Sequence, residues 1–103
     1  MVAWFSIAPD DGSGSYGEYV AEAIAFLDQT GLRYRLGAMG TEIEGPRAQV
    51  FAAIANCHEL LANKPGVRRV ETLVKIDDRL GATEVELERK VESVQRKRKD
   101  PAR

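Results

Sequence analysis

The stretch Leu36-Gly37-Ala38-Met39-Gly40-Thr41-Glu42-Ile43-Glu44-Gly45-Pro46 limits the fold more than any other part of the chain. Gly37 and Gly40 bracket a tight turn, because a residue without Cβ reaches backbone conformations that others avoid. From Thr41 the pattern alternates, with Thr41 and Ile43 on one side and Glu42 and Glu44 on the other, as in a strand with one buried face. Gly45-Pro46 ends that strand, and proline suits the opening of a helix. A turn and strand at the centre of the chain, between two helical patterns, imply a hairpin inside a mixed α+β fold.

The segments on either side complete the order. Val2–Ala8 is an apolar run bounded by Pro9-Asp10-Asp11-Gly12, which predicts a buried first strand with Ala3, Phe5 and Ile7 sharing a face. The acidic, glycine-rich loop after it has the wrong sign for a phosphate cradle and reads as a solvated turn. Ser15-Tyr16-Gly17-Glu18 has the spacing of a capping box. Tyr16, Tyr19, Val20, Ala23, Phe26, Leu27 and Thr30 then fall on one helical face, ended by Gly31. Leu32, Tyr34 and Leu36 alternate with Arg33 and Arg35, the pattern of an edge strand guarded by charge. A second helix runs from Pro46 to about Asn63, with Val50, Ala53, Ile54, Cys57 and Leu61 inward. Val67–Asp77 forms the longest strand, with Val70, Thr72, Val74 and Ile76 on one face. Thr83-Glu84-Val85-Glu86 is a second capping box, before a last helix with a thin stripe of Leu87, Val91 and Val94 and the ordered pairs Glu86–Lys90 and Glu92–Arg96.

This order predicts a ferredoxin-like βαββαβ fold: an antiparallel sheet with two helices on one face and one extra C-terminal helix. Right-handed crossovers put the first and third strands at the centre. We read 1–95 as one domain and 96–103 as a basic polar tail. One sheet face and two strand edges stay open, and self-association, as a homodimer or homotetramer, is the natural cover.

Composition narrows the chemistry. With 103 residues there is one modest core, and a formal net charge of −1 gives no global field for a nucleic-acid or membrane partner. No run approaches the ~20 apolar residues of a membrane span. The single Cys57 excludes an internal disulfide, and the first residues lack a basic leader, so a cytoplasmic protein is expected. His58 has no partner at metal-ligand spacing and reads as a rim residue, and Cys57 as a small core residue. Asp77 and Asp78 point to opposite faces and read as turn caps. A base-stacking RNA surface fails because the third strand carries Glu42 and Glu44 instead of aromatics. No metal or cofactor and no catalytic group is expected.

Three stretches together bear a family likeness: Glu18–Ala23 with Gly31–Tyr34, Met39–Gly45, and Lys75–Arg79. The chain resembles the small thiamine-binding-domain family of the YkoF-like superfamily, over about Val2–Val94. The resemblance implies a ferredoxin-like fold whose subunits join sheets into dimers or tetramers. It also implies non-catalytic binding of thiamine or its hydroxymethylpyrimidine moiety, as carrier, buffer or sensor. By similarity the ligand lies near the hairpin turn and first strand. Met39 would give soft contact to a pyrimidine, Thr41 a hydroxyl, and Gly40 close backbone approach. Glu44 would bond an aminopyrimidine or face a thiazolium, Ser6 would add a polar group, and Tyr34 or Trp4 would cover the cation. Two alternatives stand beside this reading. One is an oligomeric ferredoxin-like regulatory or structural module that binds another metabolite or a protein. The other is a small α+β-barrel enzyme resting on His58.

Overall fold

The computed structural model describes residues 1–81 and 86–98. In chain order it contains β1 (Val2–Asp10), α1 (Gly17–Thr30), β2 (Arg33–Leu36), β3 (Thr41–Glu44), α2 (Arg47–Ala62), β4 (Arg69–Asp77) and α3 (Glu86–Lys97). The four strands form one antiparallel sheet in the order β2-β3-β1-β4, which is the expected ferredoxin-like arrangement with β1 and β3 central.

Register sorts the side chains. Ala3 sits opposite Ile43 and Ile76, and Phe5 opposite Thr41 and Val74, so these residues share the face that the helices cover. The core lies there: Ala3, Phe5 and Ile43 pack with Ala23 and Leu27 of α1 and with Val50, Ala53, Ile54, Cys57 and Leu61 of α2. Each fully buried aliphatic side chain contributes about 1.5–3 kcal/mol by leaving water. Cys57 is fully buried, and burial pushes its thiol up to about 11, away from the reactive thiolate.

On the outer face, Glu44 is a buried carboxylate, 6% exposed, paired with Arg33 of the neighbouring strand at 3.1 Å. The amino group of Met1 donates to the Gly45 carbonyl at 3.0 Å and the Gly45 N–H donates back to Met1 at 3.1 Å, which extends the β1–β3 ladder by one pair. Lys90 of α3 donates to Asp77 at the end of β4.

Two local expectations are corrected. Pro9 is not the residue that stops the first strand: β1 runs to Asp10, with Pro9 buried opposite Val70. Beyond Phe5 the strand has β4 on one side and no β3 on the other, so a residue lacking an N–H is tolerated there as on an edge. The capping box at Ser15 does not form. The N-cap is Tyr16 without a side-chain bond, and the Ser15 N–H donates to Ser13 Oγ at 3.1 Å. The aspartates organise this entry instead. Gly12 and Ser13 donate to the side chains of Asp10 and Asp11, and Tyr19 Oη–H donates to Asp11 at 2.7 Å. Hydrogen bonds from the Ser13 side chain, from Tyr19 and from the Ser13 N–H hold Asp11 down to about 2. The second capping box, over 83–86, and the tail past Arg98 lie outside the described residues, and the Glu86–Lys90 pair outside the described side chains.

The hairpin turn is held from both ends. Gly37 N–H donates to the Gly40 carbonyl at 2.8 Å, and the indole of Trp4 lies against the α-carbon of Gly40 on the outer face. A Cβ at Gly40 would fall 2.6 Å from Trp4 Nε1, with the ring carbons closer still.

Two outcomes follow. Ile43→Ala, at a residue with no exposed surface, lowers unfolding free energy by about 2–5 kcal/mol, read by urea denaturation; a loss under about 1 kcal/mol contradicts the core described. Gly40→Ala displaces the indole, costs about 1–3 kcal/mol and changes the emission of the chain's single tryptophan; unchanged emission and stability contradict the contact.

Candidate functional site

β1 and β3 differ in length, and the difference makes a pocket. β1 pairs with β4 along all of Val2–Asp10, but with β3 only from Val2 to Phe5. Past the Phe5–Thr41 pair the chain turns away through Gly40–Gly37 into β2. Ser6 and Ile7 are thus left with a strand edge facing the space beneath the turn. Helix α1 crosses over that space and roofs it.

The resulting pocket has a volume of about 250 Å³. Phe5, Ser6 and Ile7 form its floor; Tyr16, Val20, Ala23, Ile24 and Leu27 of α1 form one wall; residues 36–41, from Leu36 to Thr41, form the other. The α1 residues recur at intervals of three and four, one stripe of the helix. That stripe serves two purposes. Ala23 and Leu27 are buried in the core, whereas Tyr16 and Val20 are exposed at the mouth, beside Met39, which is 83% exposed.

The lining is mainly apolar, and among the described residues none that lines it is an Asp, Glu, Lys, Arg or His. Polarity comes from two hydroxyls, on Tyr16 and Thr41, and from backbone groups of the turn and of the β1 edge at Ser6, whose side chain shares the outer face with Trp4. Thr41 is 6% exposed, so its hydroxyl sits at the inner end of the pocket, while Tyr16 stands at the rim. Small-molecule pockets take this form: apolar walls for a flat ring and a few fixed polar groups to orient it. At about 250 Å³ the space is just under the usual range of about 300–1,000 Å³, which suits one ring with small substituents. An unpaired strand edge offers alternating N–H and C=O groups, the pattern that the edge of a nitrogen heterocycle can match.

The structure brings four expected site residues to the pocket: Met39, Gly40 and Thr41, and Ser6 through its backbone, since the Ser6 side chain shares the outer face with Trp4. It does not bring Tyr34 or Glu44 there. Tyr34 is on the helix-covered face of β2, where its hydroxyl bonds Asp28 of α1, and Glu44 is on the opposite face of the sheet, paired with Arg33. Trp4 is also on that opposite face, and the close approach that Gly40 permits is made by the Trp4 indole. The α1 wall was not expected as part of the site. Its signal was the stripe already visible at Tyr16, Val20, Ala23 and Leu27, which reads as core until the shortness of β3 is known.

Residues suited to catalysis are engaged elsewhere. His58 Nδ1 lies 2.7 Å from Thr72 Oγ1, tying α2 to β4, and Cys57 is in the core. Among the described residues no group of three or more His, Cys, Asp or Glu side chains could hold a metal ion, and no described helix is long and apolar enough to cross a membrane.

Comparison with known proteins agrees with the fold. A UPF0045 protein of Methanothermobacter thermautotrophicus is 38% identical over 86 residues, covering 82% of this chain and 85% of that protein. A UPF0045 protein of Synechocystis is 35% identical over 81 residues, covering 79% of this chain; the match spans 65% of that longer relative. Among solved structures, a hypothetical protein of Methanocaldococcus jannascii superposes with a TM-score of 0.80 at 33% identity, covering 90% of this chain and 93% of the other. A Thermotoga maritima protein linked by its description to thiamine biosynthesis or salvage has the same fold, with a TM-score of 0.76 at 20% identity over 90% of this chain and 96% of the other. The family model described as thiamine-binding protein matches residues 3–95, and the chain belongs to that family.

Proposed function

We propose that the chain binds thiamine through its hydroxymethylpyrimidine moiety, or that pyrimidine alone, in the pocket beneath the hairpin turn. It then acts as a carrier, buffer or sensor and not as a catalyst. The observation that carries this reading is the combination of one-ring size, apolar walls and an unpaired strand edge in a member of the thiamine-binding protein family. The pyrimidine enters between the α1 wall and the Phe5–Ile7 floor, with its polar edge toward Thr41 and the β1 backbone at Ser6. Met39 and Tyr16 meet whatever extends past the mouth. A thiazolium there has the face of Tyr16 available for cation–π attraction. The described lining residues include no cationic side chain, so a phosphate ester gains nothing from them.

Calorimetric titration with hydroxymethylpyrimidine, thiamine and thiamine diphosphate tests the proposal. The expected result is saturable binding of the first two and no added affinity from the diphosphate. Thr41→Val removes the innermost hydroxyl at constant shape and weakens binding about three- to tenfold, the loss of one hydrogen bond. Glu44→Gln, on the other side of the sheet, leaves affinity within about twofold of wild type. No saturable heat with either pyrimidine, or a Thr41→Val protein that binds like wild type while Glu44→Gln does not, overturns it.

A further inference from the structure

Helix α1 supplies one wall of the pocket, and its two halves are held in different ways. In the second half Ala23 and Leu27 are buried in the core, so packing fixes its position. In the first half, residues 17–22, Tyr19 is half-buried and the other five residues are exposed. Tyr16 and Val20, which form the outer part of the wall, are exposed as well. The helix starts without a side-chain cap, and the loop that leads into it contains Gly12 and Gly14 in the left-handed region, where the backbone is permissive. The outer wall thus depends on what holds Tyr19.

The Tyr19 ring packs against the core, and its hydroxyl donates to Asp11 at 2.7 Å. Asp11 directly follows β1, and the end of that strand is itself fixed. The Arg68 N–H donates to the Asp10 carbonyl at 2.9 Å, and the Gly12 and Ser13 N–H groups donate to the Asp10 and Asp11 carboxylates at 2.8 Å. One hydrogen bond therefore runs from the strand that forms the pocket floor to the helix half that forms the outer wall. Neither Tyr19 nor Asp11 is among the residues that line the pocket. We propose that Tyr19 and Asp11 are a positioning pair: their bond sets the outer wall over the floor, and with it the affinity of the site, without touching the ligand. The effect on affinity rests on the pyrimidine-binding reading above; the placement of the wall does not.

A charged acceptor makes this bond stronger than one between neutral groups. Asp11 is held down to about 2, and the same bond raises Tyr19 above the ordinary tyrosine range, so near neutral pH the acceptor is a carboxylate and the donor keeps its proton. A second tie on this half, Lys64 to Glu22 at 2.6 Å, leads to the turn after α2 and not to the floor, and an exposed pair of that kind adds little. The far end of the helix offers a matched comparison. Tyr34 of β2 donates to Asp28 in the last turn of α1, the same chemistry where Leu27 is already buried beside it. Losing that bond costs stability but leaves the helix where packing puts it. Losing the Tyr19 bond frees the outer wall.

Tyr19→Phe and Tyr34→Phe, each of which keeps its ring and loses one hydroxyl, are compared in the full chain by urea unfolding, amide hydrogen exchange without ligand, and titration with hydroxymethylpyrimidine. The two variants are expected to unfold at similar urea midpoints. Tyr19→Phe alone speeds exchange of the amides of residues 20–23 at least about fivefold, beginning with the Val20 N–H that donates to the Tyr16 carbonyl. It alone weakens pyrimidine binding, about three- to tenfold, because the wall is in place for a smaller fraction of the time. Asp11→Ala weakens binding too, and adding Tyr19→Phe to it brings no further loss, since both act through one bond. Equal exchange in the two tyrosine variants, an affinity lowered as much by Tyr34→Phe as by Tyr19→Phe, or additive losses in the double variant overturns the proposal. A wild type that binds no pyrimidine, while the exchange difference holds, sinks the binding reading and supports the positioning pair.

Discussion

The ladder between β1 and β3 ends at Phe5–Thr41, and the rest of the molecule is arranged around that limit. Gly40 is the next residue, and it cannot carry a side chain because the Trp4 indole occupies the space over its α-carbon. The backbone turns there instead of continuing beside β1. Ser6, Ile7, Ala8 and Pro9 then have β4 as their one strand neighbour. A shorter β1 would leave no floor, and a longer β3 would fill the pocket with its own side chains. Trp4 on one face and the pocket on the other are therefore two sides of one constraint.

The two sheet faces divide the work. The helix-covered face buries Phe5, Ile43 and their neighbours, and at the hairpin end the same stripe of α1 stops being core and becomes pocket wall. The outer face carries charge, and its most buried group, Glu44, is held by Arg33 across one strand pair. Removing one partner of such a pair is expensive because the other stays buried without its counter-charge. Glu44 thus serves the sheet, which explains why a glutamate in the middle of the family-like stretch does not face the pocket.

Much of the architecture was legible from residue pattern. Alternation in Thr41–Glu44, the inward series Val50, Ala53, Ile54, Cys57, Leu61, and Gly31 as the end of α1 all correspond to what the structure contains. These features are local or have a single period, so the sequence displays them directly. The candidate site was legible in part. Ser6, Met39, Gly40 and Thr41 converge because they flank one turn and the strand beside it. The family resemblance implies Tyr34 and Glu44 beside them, but strand parity sends Glu44 through the sheet, and Tyr34 is held by Asp28. The contribution of α1 and the extension of β1 through Pro9 depend on how far β3 reaches, and that length is a tertiary outcome set at Trp4 and Gly40. The Ser15 capping box gives way to a nearer acceptor: the Ser15 N–H donates to Ser13 Oγ, two residues back, and the helix starts after Tyr16 without a side-chain cap.

The claim that the gap beside β1 is the ligand site is tested most directly by amide chemical-shift mapping of the ¹⁵N-labelled protein titrated with hydroxymethylpyrimidine. The account predicts that the largest saturable shifts fall on Ser6 and Ile7, on the turn from Gly37 to Thr41, and on Tyr16 and Val20, with Arg33, Glu44 and β4 unmoved. Saturable shifts centred on Glu44 and Arg33, with the Ser6 and Gly40 amides silent, would contradict it and move the site to the other face of the sheet.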